Sequence, residues 1–192
     1  MSWSKLFGRF GFSRLLTDTF YKLDWRKPNK TSVKSFIKRN KLIAYKLKSQ
    51  GKIPIIRGVQ DDKVMKSFKW VVANIEYERD INVHNTPEMW EDIDVILQNK
   101  KADCESMALL AIMIAIVNGV NPMQLYLVAG NVIQGGHSWL EYDADYQYEY
   151  RKSYILDPAY APRNITKFNA RILAINDKRY IKRWFKINCF TE

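Results

Sequence analysis

The stretch "ADCESMALLAIMIAIVNGV" (102–120) constrains this chain more than any other. From Met107 to Val117 every residue is apolar or small, so a helix here has no polar face to offer water and must be enclosed on all sides. The run is about half the roughly 20 residues that a membrane-spanning helix needs, which makes it the central buried helix of a folded core. Asp103 has the character of an N-cap, and Asn118 and Gly119 supply the stop. Cys104 therefore takes the first helical position, between two acids, at the charged end of an apolar rod. A cysteine used as core filler belongs inside such a run. At the entrance, backbone N–H groups and the positive dipole end of the helix favour a thiolate.

The chain around this helix supplies one core. With 192 residues, 47% of them apolar and 14% aromatic, it can bury a single substantial core and is short for two domains. Apolar spacing predicts a basic helix over about 32–50, stopped by Gly51, and a second over about 61–77, where Val64, Phe68, Val71 or Val72, and Ile75 recur on one face. Thr86 is placed to cap a short helix with Pro87 and Glu88 in its first turn, and another short helical piece leads to Lys100. After the central helix, "QLYLVAGNV" reads as a strand, "IQGG" as a turn, "HSWLEYD" as a strand and "SYIL" as a third, ending at Asp157. The expected class is α+β, with the central helix packed on an antiparallel sheet.

Charge divides the chain into three. Residues 1–52 hold 14 Lys/Arg against 2 Asp/Glu, residues 53–161 hold 9 against 16, and residues 162–192 hold 8 against 2. This pattern predicts a basic helical N-terminal arm (1–52), a central core (53–161) and a basic C-terminal extension packing on the core (162–192). Trp3, Leu6, Phe7 and Phe10, then Phe12, Leu16, Phe20 and Leu23, form two apolar stripes in the arm. Such pieces dock on the protein's own core, in a partner's groove or on a membrane surface. An anionic or protein partner is thus expected through residues 1–52. Binding of nucleic acid would rest on charge alone, since no recognised motif accompanies it. Two cysteines, no leader-like start and no membrane-spanning run point to a reducing, cytoplasmic setting, or to a virion.

Three residues form a chemical series. Cys104 starts a helix, His137 starts a strand after Gly135 and Gly136, and Asp157 ends the next strand. An imidazole within reach of a thiol takes its proton and later returns it to a leaving group, and a carboxylate on the far ring nitrogen fixes the tautomer. No second Cys or His lies at ligand spacing, so neither a metal nor another cofactor is expected. His84 and Cys189 are read as structural.

These residues carry a resemblance. "ADCESMALLAIMIAIVNGV" resembles the nucleophile helix of the transglutaminase-like cysteine peptidase superfamily, whose pattern is G-D-C-E-D-x-A followed by an apolar helix. "SFKWVVANIEYERD", "TPEMWEDIDVIL", "GGHSWLEY" and "YILDPAY" are similar to its upstream helix, lead-in, His strand and Asp strand, so the likeness spans roughly 61–161. Ala102 replaces the usual glycine and Ser106 the second acid, neither of which supplies a catalytic atom. The resemblance implies a papain-like core with Cys104 as nucleophile, His137 as general base and acid, and Asp157 as orienting carboxylate. The backbone N–H of Cys104 would donate to an oxyanion, with Trp70, Asn74 or Trp90 as candidate second donors. It implies a cysteine peptidase or amidase acting on a protein or peptide through a thioester, with transamidation as the variant outcome. The competing expectation is a non-catalytic papain-like scaffold, such as a phage or virion assembly protein anchored through its basic aromatic arms.

Overall fold

The computed structural model describes residues 30–85, 89–144, 152–160, 173–174 and 177–190. The amphipathic stripes expected before residue 24 and the Thr86 cap lie outside them.

Helix α1 (Lys30–Ser49) turns Val33, Phe36, Ile37, Ala44 and Leu47 inward at helical spacing. It ends at Gly51, whose φ of 71° lets the N–H groups of Gly51 and Lys52 return to the carbonyls of Lys48 and Leu47. Helix α2 (Gln60–Asn74) buries Val64, Phe68 and Val71. It stops three residues short of the expected end because Glu76–Tyr77 leaves it as β1, paired in parallel with β2 (Lys101–Ala102). The N–H groups of Glu76 and Glu78 donate there to the carbonyls of Lys100 and Ala102, at 2.8 and 3.0 Å. Between these strands lie the short turn α3 (Asp80–Val83) and helix α4 (Ile93–Asn99). Asn40 of α1 caps α4 from outside, its Oδ1 accepting from the Ile93 N–H at 2.9 Å.

Helix α5 (Cys104–Val117) is buried at every residue. Its N-cap is Asp103, whose carboxylate accepts from the Ser106 N–H at 3.3 Å. At its other end Asn118 accepts from the Ile56 N–H and donates to the carbonyls of Pro54 and Ile114. Helices α1, α2 and α4 pack on α5 from one side and a sheet covers the other.

That sheet has five strands in the order β6-β5-β4-β3-β7: β3 (Leu125–Val132), β4 (Gly135–Ala144), β5 (Lys152–Leu156), β6 (Leu173–Ala174) and β7 (Tyr180–Asn188). Each neighbouring pair is antiparallel. Leu125, Leu127 and Ala129 of β3 and Leu140, Tyr142 and Ala144 of β4 join the main core with α5. Val128, Val132, Trp139, Ile155 and Tyr180 form a second cluster on the outer face. There the buried Glu141 accepts from Trp139 Nε1 at 3.0 Å and Arg183 Nε at 2.6 Å, and pairs with Lys186 Nζ at 3.0 Å. Strand β7 carries no clear sequence signal, because Lys182, Arg183 and Lys186 interrupt the apolar alternation. Gly130 permits its approach: a Cβ there would lie 2.0 Å from the Lys182 carbonyl oxygen and 2.9 Å from Trp139 Cη2. No helix among the described residues is long and apolar enough to cross a membrane.

Candidate active site

Strand register brings two of the expected site residues together. Leu140 lies opposite Leu156, so Asp157, one residue past β5, comes alongside the start of β4, where His137 sits. Both are buried, and His137 Nε2 lies 2.7 Å from Asp157 Oδ2. An ionised carboxylate only accepts, so the proton between them belongs to Nε2. Nδ1 is then the ring nitrogen that Asp157 does not engage.

Asp157 is held by more than the histidine. Its Oδ1 accepts from the backbone N–H groups of Ala159 and Tyr160, at 3.1 and 3.4 Å, as the chain turns into the short 3-10 helix Pro158–Tyr160. Its Oδ2 also accepts from the Tyr180 hydroxyl at 2.6 Å. Burial, followed by the charge of Asp157, pushes the Tyr180 hydroxyl far above its ordinary value, so this group stays protonated and donates.

Cys104 reaches the same neighbourhood from α5, which packs on β4 and on the Pro158–Tyr160 turn. Tyr160 stacks on the His137 ring with centroids 4.4 Å apart. Burial raises the Tyr160 hydroxyl, and the charges of Asp157 and Cys104 raise it further, so one tyrosine feels all three members of the series. The Cys104 side chain is buried, and its thiol donates to Glu105 Oε2 at 3.3 Å. Neither cysteine is in a disulfide. Burial pushes the Cys189 thiol up to about 12, which leaves it inert.

An acidic cluster surrounds the Cys104 end of α5. The carboxylates of Asp103 and Glu105 and the sulfur of Cys104 lie within 4.8 Å of one another. Burial raises Asp103 well above the usual carboxylate range, and the charge of Glu105 and a hydrogen bond between the two add to it. Asp80 is pushed up to about 9 by burial and by the charge of Asp103, although the Met89 N–H donates to its Oδ2. Tyr77 is raised by burial and by Cys104, Asp103 and Glu105 in turn. Sequence spacing alone did not reveal this cluster, because Asp80 reaches it through the β1–β2 pairing.

A cavity of about 440 Å³ opens beside these groups, lined in part by Asn74, Glu76, Tyr77, Lys100, Met107 and Ala159. Of the three candidate oxyanion donors, Asn74 borders it, with its Nδ2 donating to the Trp70 carbonyl at 2.7 Å. Trp90 instead packs edge-on against Phe36 of α1, at 5.5 Å, and Trp70 packs against the core from α2.

Comparison with known proteins places the fold. The chain matches no protein-family model and no curated protein. Among solved structures it is similar to Legionella pneumophila LapG, with a TM-score of 0.54 and 15% identity over 83% of each chain. The EGTA-treated and calcium-bound forms of LapG match at 0.54 and 0.53, again at 15% identity over 83% of this chain, covering 81% and 74% of theirs. Helices packed on an antiparallel sheet, matched to the papain-like fold of LapG, make this chain an α+β protein of papain-like architecture.

Proposed function

We propose that the chain is a cysteine-dependent peptidase or amidase of the transglutaminase-like type, with Cys104 as nucleophile, His137 as general base and acid, and Asp157 as orienting carboxylate. The observation that carries the proposal is the buried 2.7 Å contact between His137 Nε2 and Asp157 Oδ2, the carboxylate–imidazole pairing that leaves the other ring nitrogen for a thiol in such a triad. The fold shared with the cysteine protease LapG supports it.

The reaction follows from the atoms. His137 takes the Cys104 proton as sulfur attacks the substrate carbonyl carbon, and the oxyanion that forms accepts from the Cys104 backbone N–H at the helix end. Collapse breaks the C–N bond, and His137 returns its proton to the departing amine. The thioester left on Cys104 is attacked by water, which gives its proton to His137; collapse breaks the C–S bond, the departing sulfur takes that proton, and the acid is released. The cavity between Asn74, Tyr77 and Met107 is where an acyl chain would lie. An amine in place of water would give transamidation.

The test is iodoacetamide alkylation against pH, in the wild type and in His137→Ala. Reactivity at Cys104 that persists well below neutral pH and is lost without His137 is the expected result. A thiol titrating near the ordinary value of about 8.5 and indifferent to His137 would remove the proposal. Cys189 is the internal control and stays unlabelled until the protein unfolds.

A second reading concerns a cation. LapG has been solved calcium-bound and EGTA-treated, and Asp103 and Glu105 here are buried carboxylates, the charge of Glu105 raising the proton affinity of Asp103. A divalent ion relieves that repulsion, and their hard oxygens suit Ca²⁺ where the Cys104 sulfur does not. Asp103 and Glu105 would hold the ion, and its charge would stabilise anions at the helix end.

A further inference from the structure

Strand β7 enters the site through one side chain. Tyr180 is buried, its ring meets Trp139 edge-on at 4.8 Å, and its hydroxyl is 2.6 Å from Asp157 Oδ2. That oxygen also receives His137 Nε2 at 2.7 Å, so two donors divide one acceptor.

We infer that Tyr180 is a positioning residue of the proposed site: its hydroxyl holds Asp157 in place and sets how strongly that carboxylate grips the His137 ring. The inference rests on the Cys104–His137–Asp157 reading for its catalytic meaning, but its physical content concerns only Tyr180, Asp157 and His137. A donated hydrogen bond draws charge from a carboxylate, and so weakens what the carboxylate offers its other partner. Tyr180 thus moderates the orienting acid as well as anchoring it. Without it, Asp157 would hold the imidazolium more tightly and release its proton to a leaving group less readily.

Other arrangements of these atoms do not produce the same effect. The backbone donors from Ala159 and Tyr160 reach Oδ1 and leave the shared oxygen untouched. Among the described residues, the other ionisable groups whose charge is felt around Asp157, Tyr180 and Tyr160 are Arg179, Asp177, Tyr160 itself and Cys104. All are present in both proteins compared below, so they do not account for a difference between them. The last strand, which sequence composition groups with a basic extension, is on this view part of the active site.

The experiment is an NMR titration of the His137 imidazole in the full chain, in wild type and in Tyr180→Phe. The resonance is assigned by its loss in His137→Gln, since the chain has only one other histidine. Tyr180→Phe keeps the ring against Trp139 and removes one oxygen. A hydrogen bond to a charged group is worth enough to move a neighbouring titration by about half a unit or more, and the expected shift is upward. The same change made on an Asp157→Asn background is expected to move His137 far less. An unshifted His137 in Tyr180→Phe, or an equal shift with and without Asp157, would overturn the inference and leave Tyr180 as packing. Failure of the triad reading looks different: Cys104 alkylation would then be indifferent to His137, whatever Tyr180 does to the histidine titration.

Discussion

The ring of Tyr160 lies over that of His137, with centroids 4.4 Å apart and planes 28° from parallel. Tyr160 is half exposed, so one face of its ring covers the imidazole while the other meets water. Truncation would let water compete for the His137–Asp157 hydrogen bond and allow the imidazole to tilt. Tyr160→Ala is expected to slow Cys104 alkylation at neutral pH by on the order of tenfold, with Tyr160→Phe close to wild type. Because the residue is half exposed, the melting temperature should barely move. Equal rates in all three proteins would show that the stack has no part in holding the histidine.

Gly130 tests the sheet. A methyl group there would meet the Lys182 carbonyl at 2.0 Å and the Trp139 ring at 2.9 Å, and the first of these is backbone that cannot swing aside. Gly130→Ala is expected to cost about 2–4 kcal/mol by overpacking, seen as a lower midpoint in urea. It should also weaken the proposed site, because separating β7 from β3 withdraws Tyr180 from Asp157. A midpoint unchanged from wild type would mean that the two strands yield freely.

Asp80 gives a dependence on pH. Burial raises its carboxyl from 3.8 to about 9, so the folded protein keeps a proton that the unfolded chain releases. Stability from this group is complete below about pH 4 and is lost as pH rises towards 9, by at most about 1.4 kcal/mol per unit. Thermal melts in EGTA at pH 5.5 and 8.5 should show a larger fall for wild type than for Asp80→Asn. Parallel falls would place the group elsewhere in the titration.

Calcium should stabilise the chain if Asp103 and Glu105 hold it. At a hundredfold excess over its dissociation constant, a ligand selective for the folded state adds about 2.7 kcal/mol. Added CaCl₂ is expected to raise the melting temperature, EGTA to reverse the rise, and Glu105→Gln to abolish it. A melting temperature indifferent to CaCl₂ would remove the cation reading while leaving the Cys104 proposal in place.

Much of this architecture was legible where a local pattern had one physical outcome. The apolar run after Cys104 could only be an enclosed helix, and its Asp103 cap and Asn118 stop lie where side-chain chemistry puts them. Strands β3, β4 and β5 announced themselves by β-branched and aromatic residues between turn signals, and their order set His137 near Asp157. Pairings between distant segments left no such trace. The three residues after Asn74 continue a helical apolar spacing, yet the parallel contact with Lys101–Ala102 draws Glu76 and Tyr77 into a strand. Tyr180 sits in a basic segment, and only the register of β7 on β3 brings it to the site. The acidic cluster likewise depends on Asp80 and Asp103 meeting across the fold. Trp90, in a motif that suggested an active-site role, packs edge-on against Phe36 of α1 and joins the main core.

A helix that is apolar on every side has no preferred rotation. Turning α5 about its axis would exchange one aliphatic side chain for another against the same oily walls, at small change in burial. Its azimuth is therefore indexed where polar atoms reach another segment: Asn118, just past its C-terminal end, is laced to Pro54 and Ile56. The direction in which Cys104 points is decided partly by a clasp at the opposite end of the rod. Asn118→Leu, at the far end of α5 from Cys104, would loosen the aim of the thiol before it loosened the fold.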